Sequence, residues 1–180
     1  MKKVLGLTLL AVAMLGISTV SAQKFARVNM QDIVVAMPEF DEMQKNLETF
    51  GKDLQEQMEQ IQVEFNNKLA DFQKNQATMA ASIKQMKQQE LEQLQQRFGE
   101  FQQIAQQDFQ KKQAELFEPV QKKAQEAVQK VSKSAGYIAV FDTSIQSLAY
   151  FDEAQLVDIA EAVKKELGIA ATPAEGTAKK

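Results

Sequence analysis

The side chains that usually carry catalysis are missing or dispersed in this chain. Histidine and cysteine are both absent from its 180 residues. That removes the commonest general base and metal ligand, and with them Ser-His-Asp and Cys-His catalysis. Disulfides are excluded too. The glycines at 51, 99, 136, 168 and 176 stand singly, so no Gly-rich loop cradles a phosphate. Carboxylates are abundant, but they recur at helical spacing, as on a solvated face. The sequence therefore predicts no catalytic residues, no metal site and no cofactor. What remains is non-covalent contact. Met58, Phe65, Phe72, Met79, Met86, Phe98, Phe101 and Phe109 supply flexible or aromatic apolar surface. Most of them are expected to hold two helices together. Methionine is polarisable and adapts to variable apolar partners, which makes Met79 and Met86 the candidates for contacting a bound chain. Lys74, Lys84 and Lys87 cluster beside them, with no acid between residues 72 and 89.

These residues need long helices to position them. Met1-Lys2-Lys3, an uncharged apolar run from Val4 to Ile17, and Val20-Ser21-Ala22 make the three-part pattern of a secretory leader. Residues 1–22 are expected to be cleaved after Ala22, and no cysteine follows for lipid attachment. The remainder has 19 basic side chains against 24 acidic ones, a net charge of −5. An acidic chain is a poor general binder of nucleic acid, and no nucleic-acid partner is expected. From Glu39 to about Gln76 the apolar positions are Met43, Leu47, Phe50, Leu54, Met58, Ile61, Phe65, Leu69 and Phe72. Their steps of three and four repeat every 11 residues, which favours a nearly straight helix pair over a tight left-handed coil. A second stripe runs from Leu91 through Leu94, Phe98, Phe101, Ala105, Phe109, Lys112 and Leu116 to Val120. Periodicity loses phase over 77–82, where a hairpin tip is expected, with Thr78 or Ser82 as a cap. Pro119 should kink the second helix, and Gly51, Gly99 and Pro119 are candidate hinges.

The flanks read differently. Lys24 to Met30 alternates as a strand, and Asn29 caps a short helix that Pro38 ends. Tyr137 to Phe141 and Ser147 to Phe151 read as further strands. Asp152 and Gln155 form a capping-box pattern for a last helix, stopped by Gly168. Strands at both ends of the chain can meet only if the middle folds back. The fold class is therefore α+β: a long antiparallel coiled-coil hairpin, residues 38–135, on a small β-rich body made of 23–37 and 136–168. Residues 169–180 read as a disordered tail. A body that small buries little surface alone, so it is expected to oligomerise. Val28, Ile138, Val140, Phe141 and Leu148 are the candidate interface residues.

Taken together, Phe25-Ala-Arg-Val-Asn-Met-Gln-Asp, the Gln/Lys/Glu-rich hairpin, Leu116-Phe-Glu-Pro-Val-Gln-Lys-Lys-Ala, and Gly136-Tyr-Ile-Ala-Val-Phe-Asp with Leu148-Ala-Tyr resemble the Skp/OmpH family of periplasmic chaperones. The resemblance covers roughly residues 24–167. It implies a homotrimer whose body carries three helical arms, with unfolded outer-membrane proteins held between them without ATP. Well-studied members are strongly basic. Here nine acids face three lysines between Glu39 and Gln73, so contact with lipopolysaccharide or a membrane stays open. The expected function is an ATP-independent periplasmic holdase. The alternative is a structural coiled-coil spacer of the cell envelope, which would need an attachment at each end, and neither a lipidated cysteine nor a wall-binding module is evident.

Overall fold

A computed structural model describes residues 24–145 and 148–169. The expected leader, and the expected tail beyond Ile169, lie outside these residues. Ile169 itself belongs to the body: it leans on the core, and its N–H donates to the Lys164 carbonyl at 2.9 Å.

Lys24–Val28 forms β1, with Ala26 and Val28 buried on one face. Asn29 then caps α1, Met30–Val35, its side-chain oxygen accepting from the N–H groups of Gln31 and Asp32. Met37 is extended, as a residue before proline must be. Pro38 opens α2, which runs to Asn75. The tip spans residues 76–80. From it α3 returns over Ala81–Ala135 and ends at Gly136, whose left-handed φ of 72° needs no Cβ. Strand β2, Tyr137–Asp142, follows directly. The sheet is completed by β3, Val157–Asp158, and the described chain by α4, Ala160–Glu166. All strands are parallel, in the order β2-β1-β3.

The hairpin is the crossover of a parallel strand pair, grown outward. At 55 residues against 38, α3 outreaches α2. Its far end lies along the sheet, burying Val120, Ala124 and Ala127 against Ala26, Val28, Ile33, Met37, Ile159 and Val163. Beyond the base only the two arm helices face each other. Every residue of both predicted stripes is buried or half-buried, Lys112 included. Met43, Ile61, Leu94 and Ala105 are the most enclosed of these in the arm.

Three expectations are corrected. Neither Thr78 nor Ser82 caps α3. Its N-cap is Ala80 without a side-chain bond, and the Thr78 hydroxyl instead donates to the Asn75 carbonyl at 3.1 Å. Ser147–Phe151 is not a strand over its described residues, 148–151. The open edge of β1 pairs with Val157 and Asp158 instead. Asp152 does not start the last helix. Its side chain accepts from the Ala154 N–H at 2.9 Å and closes only a turn. The helix waits until Ile159, whose N–H is held by the Arg27 carbonyl at 3.0 Å. Ile159 is its N-cap without a side-chain bond, and Asp158 just before it accepts from the Ala160 N–H at 2.9 Å. Pro119 lies within α3 without interrupting it. It sits on an exposed side, where the Glu115 carbonyl deprived of its partner meets water.

Asp142 knits the base. Its Oδ1 accepts from the Met30 N–H at 3.2 Å, the Ser144 N–H at 2.9 Å and the Ser144 hydroxyl at 2.7 Å. Asp142→Ala should lower the unfolding free energy by about 1–3 kcal/mol, because partly buried donors lose their acceptor. Asp142→Asn keeps an acceptor oxygen and should cost less. Urea denaturation of both variants checks the order.

Candidate functional site

The hairpin has two unlike flanks. On one, ion pairs span the two helices: Glu64 with Arg97 at 3.3 Å, Lys68 with Glu90 at 3.2 Å, and Asp71 with Lys87 at 3.9 Å. Nearer the base Glu39 meets Lys123. The Lys123 ammonium, hydrogen-bonded to the Glu39 carboxylate, holds that carboxyl below its ordinary value. A depressed folded-state value means this clamp is fully present above the usual carboxylate range and is lost only as pH falls through and below it. The opposite flank has no ion pair between α2 and α3 among the described residues. It carries a groove of about 560 Å³, floored by Leu54, Met58, Phe98, Ala105 and Phe109.

The tip differs from the basic patch that its sequence suggests. Lys87 is drawn in, 3.9 Å from Asp71 and 3.7 Å from Glu90. The acids that bound the acid-free stretch thus reach back over it. Lys74 is exposed and Lys84 half-buried, and among the described residues neither has an ion-pair partner. Met79 is half-buried, whereas Met86 is 47 % exposed, with Ile83 exposed nearby. The tip brings the five candidate contact residues into one region of moderate apolarity, in which, among the described residues, Lys87 is paired and Lys74 and Lys84 keep free charges.

At the base the five candidate interface residues separate. Val28 is 2 % exposed, its side chain taken up by the chain's own core. Ile138 is 58 % exposed, at the irregularity where the register jumps from Lys24↔Tyr137 to Phe25↔Ala139. Phe141 stacks on Phe25 with centroids 6.1 Å apart, on the sheet face away from Ala26 and Val28. Val140 and Leu148 are half-buried, and Val140 leans on the core. Sequence reasoning missed one cluster on the outer face. The Arg27 guanidinium lies 5.7 Å from the centre of the Phe151 ring and 3.4 Å from the Asp158 carboxylate. Its Nε is buried without a hydrogen-bond partner. The alternation of Phe25 and Arg27 with Ala26 and Val28 was the available signal. The position of Phe151 and Asp158 depended on the unforeseen β3.

No group of three carboxylates poised for a metal ion occurs among the described residues. No helix there is long and apolar enough to cross a membrane.

A family profile described as "Outer membrane protein (OmpH-like)" matches residues 24–167. Two similar curated proteins are each named chaperone protein Skp. The one from Yersinia enterocolitica is 28 % identical over 93 % of this chain and 99 % of its own. That from Pectobacterium atrosepticum is 28 % identical over 91 % and 94 %. Among solved structures, a Caulobacter crescentus protein assigned as an OmpH-like outer membrane chaperone superposes with a TM-score of 0.70. It covers 82 % of this chain and 85 % of that one at 13 % identity, which speaks to the fold alone.

The two arm glycines occupy unlike settings. A Cβ on Gly51 would stand 3.3 Å from Phe109 Cε2, so this glycine lets the ring lie against the helix backbone. A Cβ on Gly99 would meet nothing within 4 Å. Gly99→Ala should therefore stabilise the arm by roughly 0.5–1 kcal/mol, the helix-propensity difference. Gly51→Ala should gain less or destabilise, because Phe109 must shift. Amide hydrogen exchange along α2 and α3 distinguishes the two.

Proposed function

Since the chain belongs to the OmpH-like family, whose curated relatives are chaperones, we propose that it is an ATP-independent holdase of the periplasm. It holds unfolded outer-membrane proteins between helical arms and keeps them from aggregating. The observation that carries this reading is the arm itself. Helix α2 holds 38 residues, roughly 57 Å at 1.5 Å per residue. It stands clear of the base with a seam closed from one side only, so apolar side chains stay half-open to a third surface. Reversible contact with many unfolded sequences calls for such surface, and it needs no nucleotide.

A cavity requires several arms. In this reading three copies join through the base, where the outer sheet face presents Phe25 and Phe141, and the edge strand β2 carries the exposed Ile138. The open edge of β2 lies beside them. The resemblance supports three subunits rather than another number.

Purified protein lacking the leader should suppress aggregation of a β-barrel protein diluted from urea, without added ATP. Light scattering at 360 nm reads the effect, and no suppression at stoichiometric excess sinks the proposal. Phe141→Asp should dissociate the assembly, because a charge placed in a closed apolar contact costs several kcal/mol. Multi-angle light scattering should then report a single-chain mass. An unchanged mass would mean that the arms, not the base, hold the copies together.

A further inference from the structure

The unlike flanks of the arm assign a direction to client binding, an assignment that rests on the holdase reading. We infer that the groove flank, floored by Leu54, Met58, Phe98 and Phe109, takes up an extended apolar stretch of the client that is uncharged or basic rather than acidic. The ion-paired flank is the outward one.

Four features converge on this occupant. The first is chemistry of the floor: two aromatic rings and a methionine give a plastic apolar surface. The groove's volume of about 560 Å³ falls within the span of ligand-sized clefts. The second is the rim. Gln55 and Gln62 border the groove, and an amide offers both donors and acceptors. An extended client backbone needs both, whatever its sequence. Gln55 is already oriented, donating to Glu59 Oε1 at 3.0 Å.

The third feature is charge. Glu59 is the one ionisable group lining the groove, and no cation lines it. An acidic segment would meet a like charge there, and a lysine or arginine an opposite one. The same sign argues against the α2 side of a second arm as occupant, because α2 carries nine acids to three lysines between Glu39 and Gln73. The fourth is Gly51. Without a Cβ there, Phe109 lies close against α2 as one wall of the groove; an added Cβ would stand 3.3 Å from Phe109 Cε2 and press the ring back by a few tenths of an ångström. On the other flank, charges are already paired across the seam around a hollow of about 310 Å³, and the wider depression of about 600 Å³ beside Glu64 and Lys68 lies on α2 alone, lined mainly by charged and amide side chains.

The absence of cysteine makes the test clean, since one introduced thiol is unique. Gln62→Cys labels the groove rim, and Gln93→Cys labels the ion-paired flank. Each carries a polarity-sensitive fluorophore and is titrated with a urea-unfolded β-barrel protein. The Gln62 conjugate should shift to the blue on client addition, and the Gln93 conjugate should not. Two apolar peptides of equal composition, flanked by lysines or by glutamates, then compete with the client. The lysine-flanked peptide should bind a few-fold tighter, as for one exposed ion pair, and Glu59→Gln should remove that preference. Equal shifts on both flanks, or a shift at Gln93 alone, overturn the assignment, as does tighter binding of the glutamate-flanked peptide. A shift at Gln62 with rising chain concentration and no client would mean that a second copy fills the groove, and also overturns it. Aggregation suppression measured on the unlabelled chain separates these results from failure of the holdase reading itself, which would take this assignment with it.

Discussion

Everything in this molecule hangs on the parallel pairing of β1 with β2. Antiparallel neighbours need only a tight turn, whereas parallel ones need a crossover that returns the chain to the same end of the sheet. Here the crossover is the whole arm. Helix α3 does two jobs because of it. Its outer length forms half of the hairpin, and its inner length covers the sheet with Val120, Ala124 and Ala127. The small alanines let that helix come close to β1 and α1, so the base closes over a core of few residues. No linker separates arm from base. The continuity of α3 through Pro119 fixes the direction in which the arm leaves the sheet.

Away from the base the arm trades burial for surface. A helix in a globular core shares its stripe with several neighbours, and a hairpin shares it with one. Most stripe residues are accordingly half-buried rather than enclosed. The interhelical ion pairs are exposed or partly exposed and contribute little stability individually. Their more important effect is on register and sidedness: they bind α2 to α3 along one flank and leave the other to amide and apolar groups with Glu59 as the one charge lining its groove. A marginally held, half-open pair of helices is poor as a rigid strut. It suits a surface that must accept and release different sequences.

The arm was legible in the sequence because its signals are periodic. Sixteen steps of three and four leave no other face on which Met43 to Phe72 or Leu91 to Val120 could align. Asn29, Pro38 and Gly136 were legible as well, each having a local conformational reason. The end of the chain was not. Leu148-Ala-Tyr-Phe has the composition of a strand, but pairing requires a free edge, and the two-residue β3 took it. Asp152 and Gln155 match a capping box, yet the register of Val157 with Ala26 forbids a helix there. Such competition between segments for one sheet edge is invisible to local pattern. The sidedness of the arm was also hidden. Glu64, Lys68, Glu90 and Arg97 look like ordinary solvated charges until the register of two helices brings them into pairs. Gly51 likewise reads as a weak point in a helix until Phe109 is seen lying against it.

The order in which the chain is made gives the sheet topology a further meaning. During synthesis β1 emerges early, and its partner β2 follows only after the whole hairpin, more than a hundred residues later. The base has high contact order and the arm low, because each arm contact lies closer in sequence toward the tip. Helical pairing can therefore zip from residues 76–80 inward while β1 still waits. The last step is the arrival of β2 and β3 on either side of a strand that has been unpaired throughout. A single short central strand, with Ala26 and Val28 as its apolar face, exposes little adhesive surface during that wait. For a protein whose own nascent chain must avoid aggregation, the brevity of β1 is a safeguard written into the topology.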